Sequence, residues 1–153
     1  MSEIAPVPAL DAHLGFWLRM VSNAVSQSFA RALEGEGVTV AEWVFLRTLY
    51  GAEPAAPSRV AETLGLTRGA ITKLADRLID KGLTARRADP EDGRAQLLSL
   101  TPRARKLVPR LAALADANDG AFFASLKPAE RAQLERLLKR IVASRGITEI
   151  PAN

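Results

Sequence analysis

Cationic and hydroxyl side chains recur on one side of a predicted helix near the middle of the chain. At about 100° per residue, this side can donate hydrogen bonds to phosphate groups and base edges. Its members are Arg68, Gly69, Thr72, Lys73 and Asp76. The opposite side is apolar and consists of Ala70, Ile71, Leu74 and Leu78. The pattern predicts a helix that packs by one face and offers the other to a polyanion.

Gly69 lies in the first turn of this polar face. Glycine costs about 1 kcal/mol relative to alanine inside a helix, so its presence suggests that another surface approaches closely at this point. The alternative is a glycine that is merely tolerated in a first turn, beside charges that only solvate the helix.

The elements that would position this helix form a helix-turn-helix pattern over residues 58–81. Ser58 is expected to cap a short helix that ends near Leu64. Thr67 is expected to cap the second helix, which Gly82 closes. In this motif, the N-terminal residues of the second helix reach base edges in the major groove.

Two short strands are predicted next, over residues 83–88 and 95–100, around the turn Asp89-Pro90-Glu91-Asp92-Gly93-Arg94. Proline and glycine in so short a connection favour a β-hairpin. A hairpin directly after a helix-turn-helix is a wing. Its three carboxylates would repel phosphate, so the tip is not a simple basic patch.

Long amphipathic helices are predicted on both sides of this winged helix. The first follows an apolar stripe from Leu14 to Leu33 and ends at Gly35. Thr39 and Glu42 then form a capping box for a helix to about Tyr50, with Val38 and Trp43 placed as a hydrophobic staple.

On the far side, Thr101 and Pro102 begin a helix that extends to about Phe123. Its seam resembles a coiled coil with one polar position and implies a helical partner: Leu107, Leu111, Leu114, Asn118 and Ala121. Pro128 and Glu130 open a last helix that ends near Gly146, with one apolar face: Leu134, Leu137, Leu138, Ile141 and Val142.

With these elements in place, the sequence resembles the MarR family of winged helix-turn-helix regulators. The turn DPEDGR followed by LLSLTPRA carries the resemblance, which extends from Leu14 to about Val142 in the family's order of elements. It implies that Arg94 enters a minor groove and that Asp92 helps to hold the wing tip in shape. Physically, arginine suits the negative potential of a narrow minor groove.

The expected fold is mainly α with a small β-hairpin wing, in one domain over residues 1–153. Residues 39–100 form the winged helix DNA-binding lobe, and residues 10–35 and 102–146 are dimerisation helices. The expected DNA-binding residues are Ser58, Thr67, Arg68, Gly69, Thr72, Lys73, Arg77, Asp92 and Arg94. Arg77 contacts phosphate or forms an internal ion pair, and Arg86 and Arg87 either add to the wing or only flank its strand.

The expected function is that of a transcription regulator, more often a repressor, which binds double-stranded DNA as a homodimer. Two recognition helices roughly 34 Å apart would read an inverted repeat. Part of each apolar stripe is expected to pack within the chain. The rival interpretation is a protein-interaction module in which the winged helix is only a scaffold and the arginines confer solubility.

The resemblance also implies a small aromatic or phenolic effector between the dimer helices and the DNA-binding lobe. The candidate lining is His13, Phe16, Trp17, Met20, Trp43 and Arg47. Aromatic residues and methionine at helical spacing are more often core than pocket, so ordinary packing is the alternative.

The composition limits the other classes of function. With no cysteine, the chain has no disulfide, thiolate ligand or thiol redox switch. No catalytic constellation, metal site or cofactor motif is recognisable, so we expect no enzyme. The absence of a long apolar run and of a secretory signal predicts a cytoplasmic protein without membrane contact. The net charge of +4 suits a polyanionic partner.

Overall fold

The computed structural model describes residues 5–152 and contains six α-helices and one antiparallel β-hairpin in that range. A short 3-10 helix, Leu10–Ala12, precedes them. In chain order the elements are α1 (Leu14–Glu34), α2 (Val40–Leu49), α3 (Pro57–Leu64), α4 (Arg68–Asp80), β1 (Thr84–Ala88), β2 (Gln96–Leu100), α5 (Pro102–Phe122) and α6 (Pro128–Ser144). The predicted fold class, mainly helical with a hairpin wing, is confirmed.

Local sequence signals set most of these boundaries. The capping box of α2 is complete, since the Thr39 hydroxyl accepts from the Glu42 N–H and the Glu42 carboxylate accepts from the Thr39 N–H. Thr67 Oγ1 accepts from the Ala70 N–H at 3.1 Å and begins α4. Gly82, at φ +70°, adopts the left-handed conformation that ends α4.

The predicted cap of α3 is wrong. This helix begins at Pro57, its N-cap is Ala56, and no side chain caps it. Proline has the φ angle of a first helical residue and lacks the N–H group that would remain unpaired there. The helix therefore starts one residue before Ser58, whose hydroxyl lies inside the first turn.

The hydrophobic core is centred on the winged-helix lobe and extends into the end of α1 and the first half of α5. Its largest fully buried apolar side chains come from the end of α1, from α2 and α4, from the hairpin and the residue before it, and from the first half of α5: Leu33, Phe45, Leu46, Leu49, Ile71, Leu78, Leu83, Leu98, Val108 and Leu111. Ala75 is buried on α4, whereas Ala70, expected on the apolar side, is exposed. The first turn of α4 thus extends past the core.

The predicted seam of α5 packs largely within its own chain. Leu107 and Leu111 belong to the core. Further along α5, the Asn118 side chain donates a hydrogen bond to the Val25 carbonyl of α1 at 3.2 Å. The helical partner that the seam implies is, for this part of α5, α1 of the same chain, since α1 contacts α5.

Two apolar faces are left uncovered outside the lobe. On α1 the exposed side chains are Leu14, Trp17, Leu18, Met20 and Val21. On α6 they are Leu137, Leu138, Ile141 and Val142, and α6 contributes no residue to the buried core. Within residues 5–152, no helix is both long and apolar enough to traverse a bilayer.

A buried carboxylate ties α2 to the end of α4. Glu42 is 1% exposed and accepts hydrogen bonds from Lys81 Nζ at 2.8 and 3.0 Å. Arg77 Nη2 donates to the same carboxylate at 3.2 Å. Lys81 Nζ also donates to the Gly37 carbonyl at 2.8 Å, so the loop between α1 and α2 joins the cluster.

Burial is the largest influence on Glu42 and disfavours its charge. The pKa of Glu42 is nevertheless lowered, because several favourable interactions together outweigh burial. In order of size they are the hydrogen bond from Lys81, the hydrogen bond from the Thr39 N–H, the charge of Lys81 and the hydrogen bond from Arg77. The ionised carboxylate therefore stabilises the folded state at neutral pH.

Replacing Glu42 by glutamine is expected to lower the free energy of unfolding at pH 7 by about 1–3 kcal/mol, because the amide carries no negative charge for Lys81 and Arg77 and has a donor in place of one acceptor oxygen. Chemical denaturation measures this loss. Since the folded-state pKa of Glu42 is lowered from 4.5, the stabilisation is fully present above that pH and is lost as the pH falls from 4.5 through the lowered pKa. The difference between wild type and variant should therefore narrow in acid.

Glu62→Gln, at an exposed position of α3, is the matched control and should leave stability close to wild type. An equal loss in both variants, or a Glu42 effect that persists unchanged at pH 3, would contradict this role of the cluster.

Candidate nucleic-acid interface

The polar face of α4 lies at the surface of the molecule. Arg68, Gly69, Thr72 and Lys73 are all exposed. A Cβ atom built on Gly69 meets no other atom within 4 Å, so packing within the chain does not require glycine there. This face is free to lie against another surface.

The two threonines of this face have different hydrogen bonds. Thr67 accepts the Ala70 N–H, which leaves the hydroxyl hydrogen of Thr67 available to donate to an anion at the N-terminus of α4. Thr72 instead donates to the Arg68 carbonyl at 2.9 Å. Thr72 would have to break that bond before it could donate to a phosphate.

Arg77 forms the internal ion pair that the sequence left as one of two alternatives. Its Nε and Nη2 atoms lie 3.3 and 3.2 Å from the same oxygen of Glu42. The side chain remains 53% exposed. The Arg77 guanidinium therefore pairs with the buried carboxylate of Glu42, and a contact with phosphate would come in addition to this pair.

The wing pairs β1 with β2 in a register that places Thr84 opposite Leu100 and Ala88 opposite Gln96. In the turn between them, the Asp89 carboxylate accepts from the Glu91 N–H at 2.9 Å. The Asp92 carboxylate accepts from the Arg94 N–H at 3.1 Å. Asp92 thus contacts the backbone of Arg94, whose side chain is exposed at the tip.

One ion pair connects the wing to the recognition face. Arg86 of β1 donates to the Asp76 carboxylate of α4 at 2.5 Å. Sequence reasoning placed Asp76 on this face but left Arg86 between two roles. Alternation along β1 gives Arg86 and Arg87 opposite directions, which could have indicated that only one of them reaches the helix.

Ser58 is exposed in the first turn of α3. That helix packs against α4, so a hydroxyl at its N-terminus has access to solvent beside the helix-turn-helix. The N-terminal turns of both helices therefore carry exposed hydroxyl groups.

The six residues expected around an effector fall at two separate places of the chain. Phe16 and Trp17 contact each other edge to face near the start of α1, with ring centroids 5.4 Å apart. Trp43 packs on Phe29 at 6.2 Å, and Arg47 lies over Tyr50. Twelve residues of α1, about 18 Å, separate Trp17 from Phe29.

The other two expected effector residues, His13 and Met20, are close in sequence to Phe16 and Trp17. His13 contacts the Leu10 carbonyl through Nδ1, and Met20 is exposed on α1. A cavity of about 500 Å³ lies elsewhere, between α5 and α6, with Phe123, Leu134 and Leu138 among its lining residues. Among residues 5–152, no group of three or more histidine or acidic side chains is placed to hold a metal ion.

Among known proteins, a family model matches the winged-helix lobe, and a relative matches nearly the whole chain. A model of the MarR family matches residues 36–95, the winged-helix part. The putative transcriptional regulatory protein for the hcr operon of Thauera aromatica is 33% identical over 146 residues, which covers 95% of this chain and 87% of that protein.

Two solved structures share the fold. MarR from E. coli, as a mutant complexed with operator DNA, has a TM-score of 0.74 and 27% identity, covering 84% of this chain and 93% of that one. CouR from Rhodococcus jostii, bound to p-coumaroyl-CoA, has a TM-score of 0.71 and 29% identity, covering 88% and 95%. From the match to the winged-helix lobe, the relative that spans nearly the full length and the shared fold, we conclude that the chain belongs to the MarR family of winged helix-turn-helix regulators.

Proposed function

We propose that this protein is a transcription regulator of the repressor type, which binds double-stranded DNA with sequence specificity. The observation that carries the proposal is the exposed face of α4, with Arg68, Gly69 and Lys73 turned away from the core. A helix needs such a face to enter the major groove, where side chains reach the base edges. In keeping with this, the related MarR structure contains operator DNA.

Different residues of this face have different roles. Arg68 is in the first turn of α4, where the N-terminal residues of a recognition helix meet base edges. Lys73 lies more than a turn further on and suits a phosphate contact. Thr67 and Ser58 add hydroxyl groups, Thr72 adds one when its bond to the Arg68 carbonyl opens, and Gly69 allows the helix backbone to approach the duplex.

The wing supplies a second contact through Arg94. Its guanidinium is exposed, while the Asp92 carboxylate holds the backbone N–H of Arg94 and thereby the shape of the turn. Arginine is favoured in a narrow minor groove because the potential there is strongly negative. Asp92 is thus a positioning residue and Arg94 the contacting one.

The protein acts as a homodimer through residues 10–35 and 102–146. The support is the pair of uncovered apolar faces on α1 and α6, which cost free energy in water and are removed from it when two copies associate. A twofold dimer presents two recognition helices to successive major grooves, and its operator is therefore an inverted repeat.

The regulator responds to a small effector, with an aromatic or phenolic compound as the proposed class. Binding of p-coumaroyl-CoA by the related CouR supports a small ligand. His13 and Phe16 lie at the start of α1, and Trp17 and Met20 belong to its uncovered face. An effector site that includes them therefore needs a second copy of the chain, and its coupling to DNA binding is reciprocal.

The protein is proposed to act without catalysis, in the cytoplasm, where its DNA target is accessible. The support is the set of relatives, which are named as transcription regulators. Binding alone is sufficient for this role, since a dimer that occupies an operator needs no reaction at the site.

Arg68→Ala is expected to reduce discrimination between operator and random duplex by about tenfold, whereas Lys73→Ala should weaken binding to both duplexes about equally. Fluorescence anisotropy with a selected operator and a scrambled duplex measures both affinities. Each variant serves as the control for the other, because each removes one positive charge from the same helix face. Equal losses on the two duplexes for Arg68→Ala would refute its base-reading role.

Arg94→Ala is expected to weaken operator binding by about tenfold or more while the dimer stays folded. Arg31→Ala, which removes an exposed arginine from the last turn of α1, is the control and should bind nearly as wild type. Unchanged affinity in the Arg94 variant would show that the wing does not contact DNA through this residue.

Ile141→Glu is expected to shift the protein from dimer to monomer, because it places a carboxylate in the apolar face of α6. Light scattering coupled to gel filtration gives the mass, and thermal unfolding confirms that the lobe is still folded. Arg140→Glu changes a neighbouring exposed residue and should remain dimeric. A dimer of undiminished stability in the Ile141 variant would exclude α6 from the interface.

A further inference from the structure

Asp76 places a negative charge on the surface that is proposed to meet DNA. Its side chain is 52% exposed and lies on the polar face of α4, one turn beyond Thr72 and Lys73. An unpaired carboxylate at this position would repel phosphate. It would also lie within reach of Lys73, three residues earlier on the same helix, and would draw that cation away from DNA.

The Asp76 carboxylate already forms an ion pair with a residue of another element. Arg86 of β1 donates to Asp76 at 2.5 Å, and its side chain is 34% exposed. Arg87, the next residue, is exposed and points to the other side of the hairpin. Arg86 of the wing is therefore paired with Asp76, the acidic residue in the middle of the cationic face of α4.

We infer that Arg86 is a positioning residue for DNA binding, which acts by neutralising Asp76 and so keeps Lys73 available to phosphate. Arg86 does not contact DNA itself in this role. The inference rests on the proposed function and adds to it a residue pair, 10 positions apart in sequence, that sets the affinity of the recognition face.

Three roles of Arg86 give different patterns in a double-mutant cycle. If Arg86 masks Asp76, Arg86→Ala weakens DNA binding, Asp76→Ala does not, and the double variant recovers. If Arg86 contacts phosphate directly, the double variant is as weak as Arg86→Ala. If the pair only ties the wing to α4, each single variant and the double variant lose the same affinity.

The test measures the affinity of the dimer for the selected operator with wild type, Arg86→Ala, Asp76→Ala and the double variant. We expect Arg86→Ala to bind about fivefold to tenfold more weakly, from one unmasked charge near phosphate. Asp76→Ala should bind as tightly as wild type or tighter, and the double variant within about twofold of wild type. Arg87→Ala, the same loss of charge from the same strand, is the matched control and should show no rescue by Asp76→Ala.

The salt dependence of DNA affinity gives a second measurement, which would not change if the Arg86–Asp76 pair only held the wing against α4. The ratio of wild-type to Arg86→Ala affinity should shrink as salt rises from about 0.1 to 0.3 M, because the repulsion is screened. No recovery in the double variant, no loss in Arg86→Ala, or a ratio independent of salt would each overturn the inference. If wild type itself distinguishes no duplex, the proposed function fails first and is identified by that measurement alone.

Discussion

The arrangement of the DNA-binding lobe depends on one buried carboxylate. Glu42 closes the capping box of α2 and accepts from Lys81 and Arg77 at the end of α4. Lys81 also holds the Gly37 carbonyl, between α1 and α2. A charge that is 1% exposed must keep its partners, since desolvation without them is costly. The end of α4 is therefore tied both to α2 and to the loop that follows α1, which fixes where α4 lies relative to these two helices.

Three acidic side chains near the proposed DNA surface have partners within the chain. Asp89 and Asp92 accept backbone N–H groups in the wing turn, and Asp76 accepts from Arg86. Arg68 and Lys73 are exposed on the same surface. These three carboxylates therefore either shape the wing backbone or are neutralised, beside the exposed cations of α4. This explains how a chain with a net charge of only +4 can present a local potential suited to a polyanion.

Local signals made most of the fold predictable, and long-range pairs did not. The caps at Thr39, Thr67 and Thr101 and the left-handed Gly82 lie within a few residues of the ends they set, so the sequence showed them. The prediction of Ser58 as the N-cap of α3 was wrong because Pro57 is the stronger signal for a helix start. The pairs Glu42–Lys81 and Asp76–Arg86 join separate elements, and no spacing in the sequence shows which of several charges meet. The seam of α5 had the right period, but periodicity does not distinguish α1 of the same chain from a second copy.

The central claim is that two exposed α4 faces, fixed by a twofold dimer, enter successive major grooves. Methylation protection on the operator selected from genomic fragments tests it most directly, because guanine N7 lies in the major groove. The account predicts two protected clusters about 10 base pairs apart, symmetric within an inverted repeat, with protection lost in an Arg68→Ala, Lys73→Ala double variant. A single cluster, or binding without any protection of N7, would contradict it.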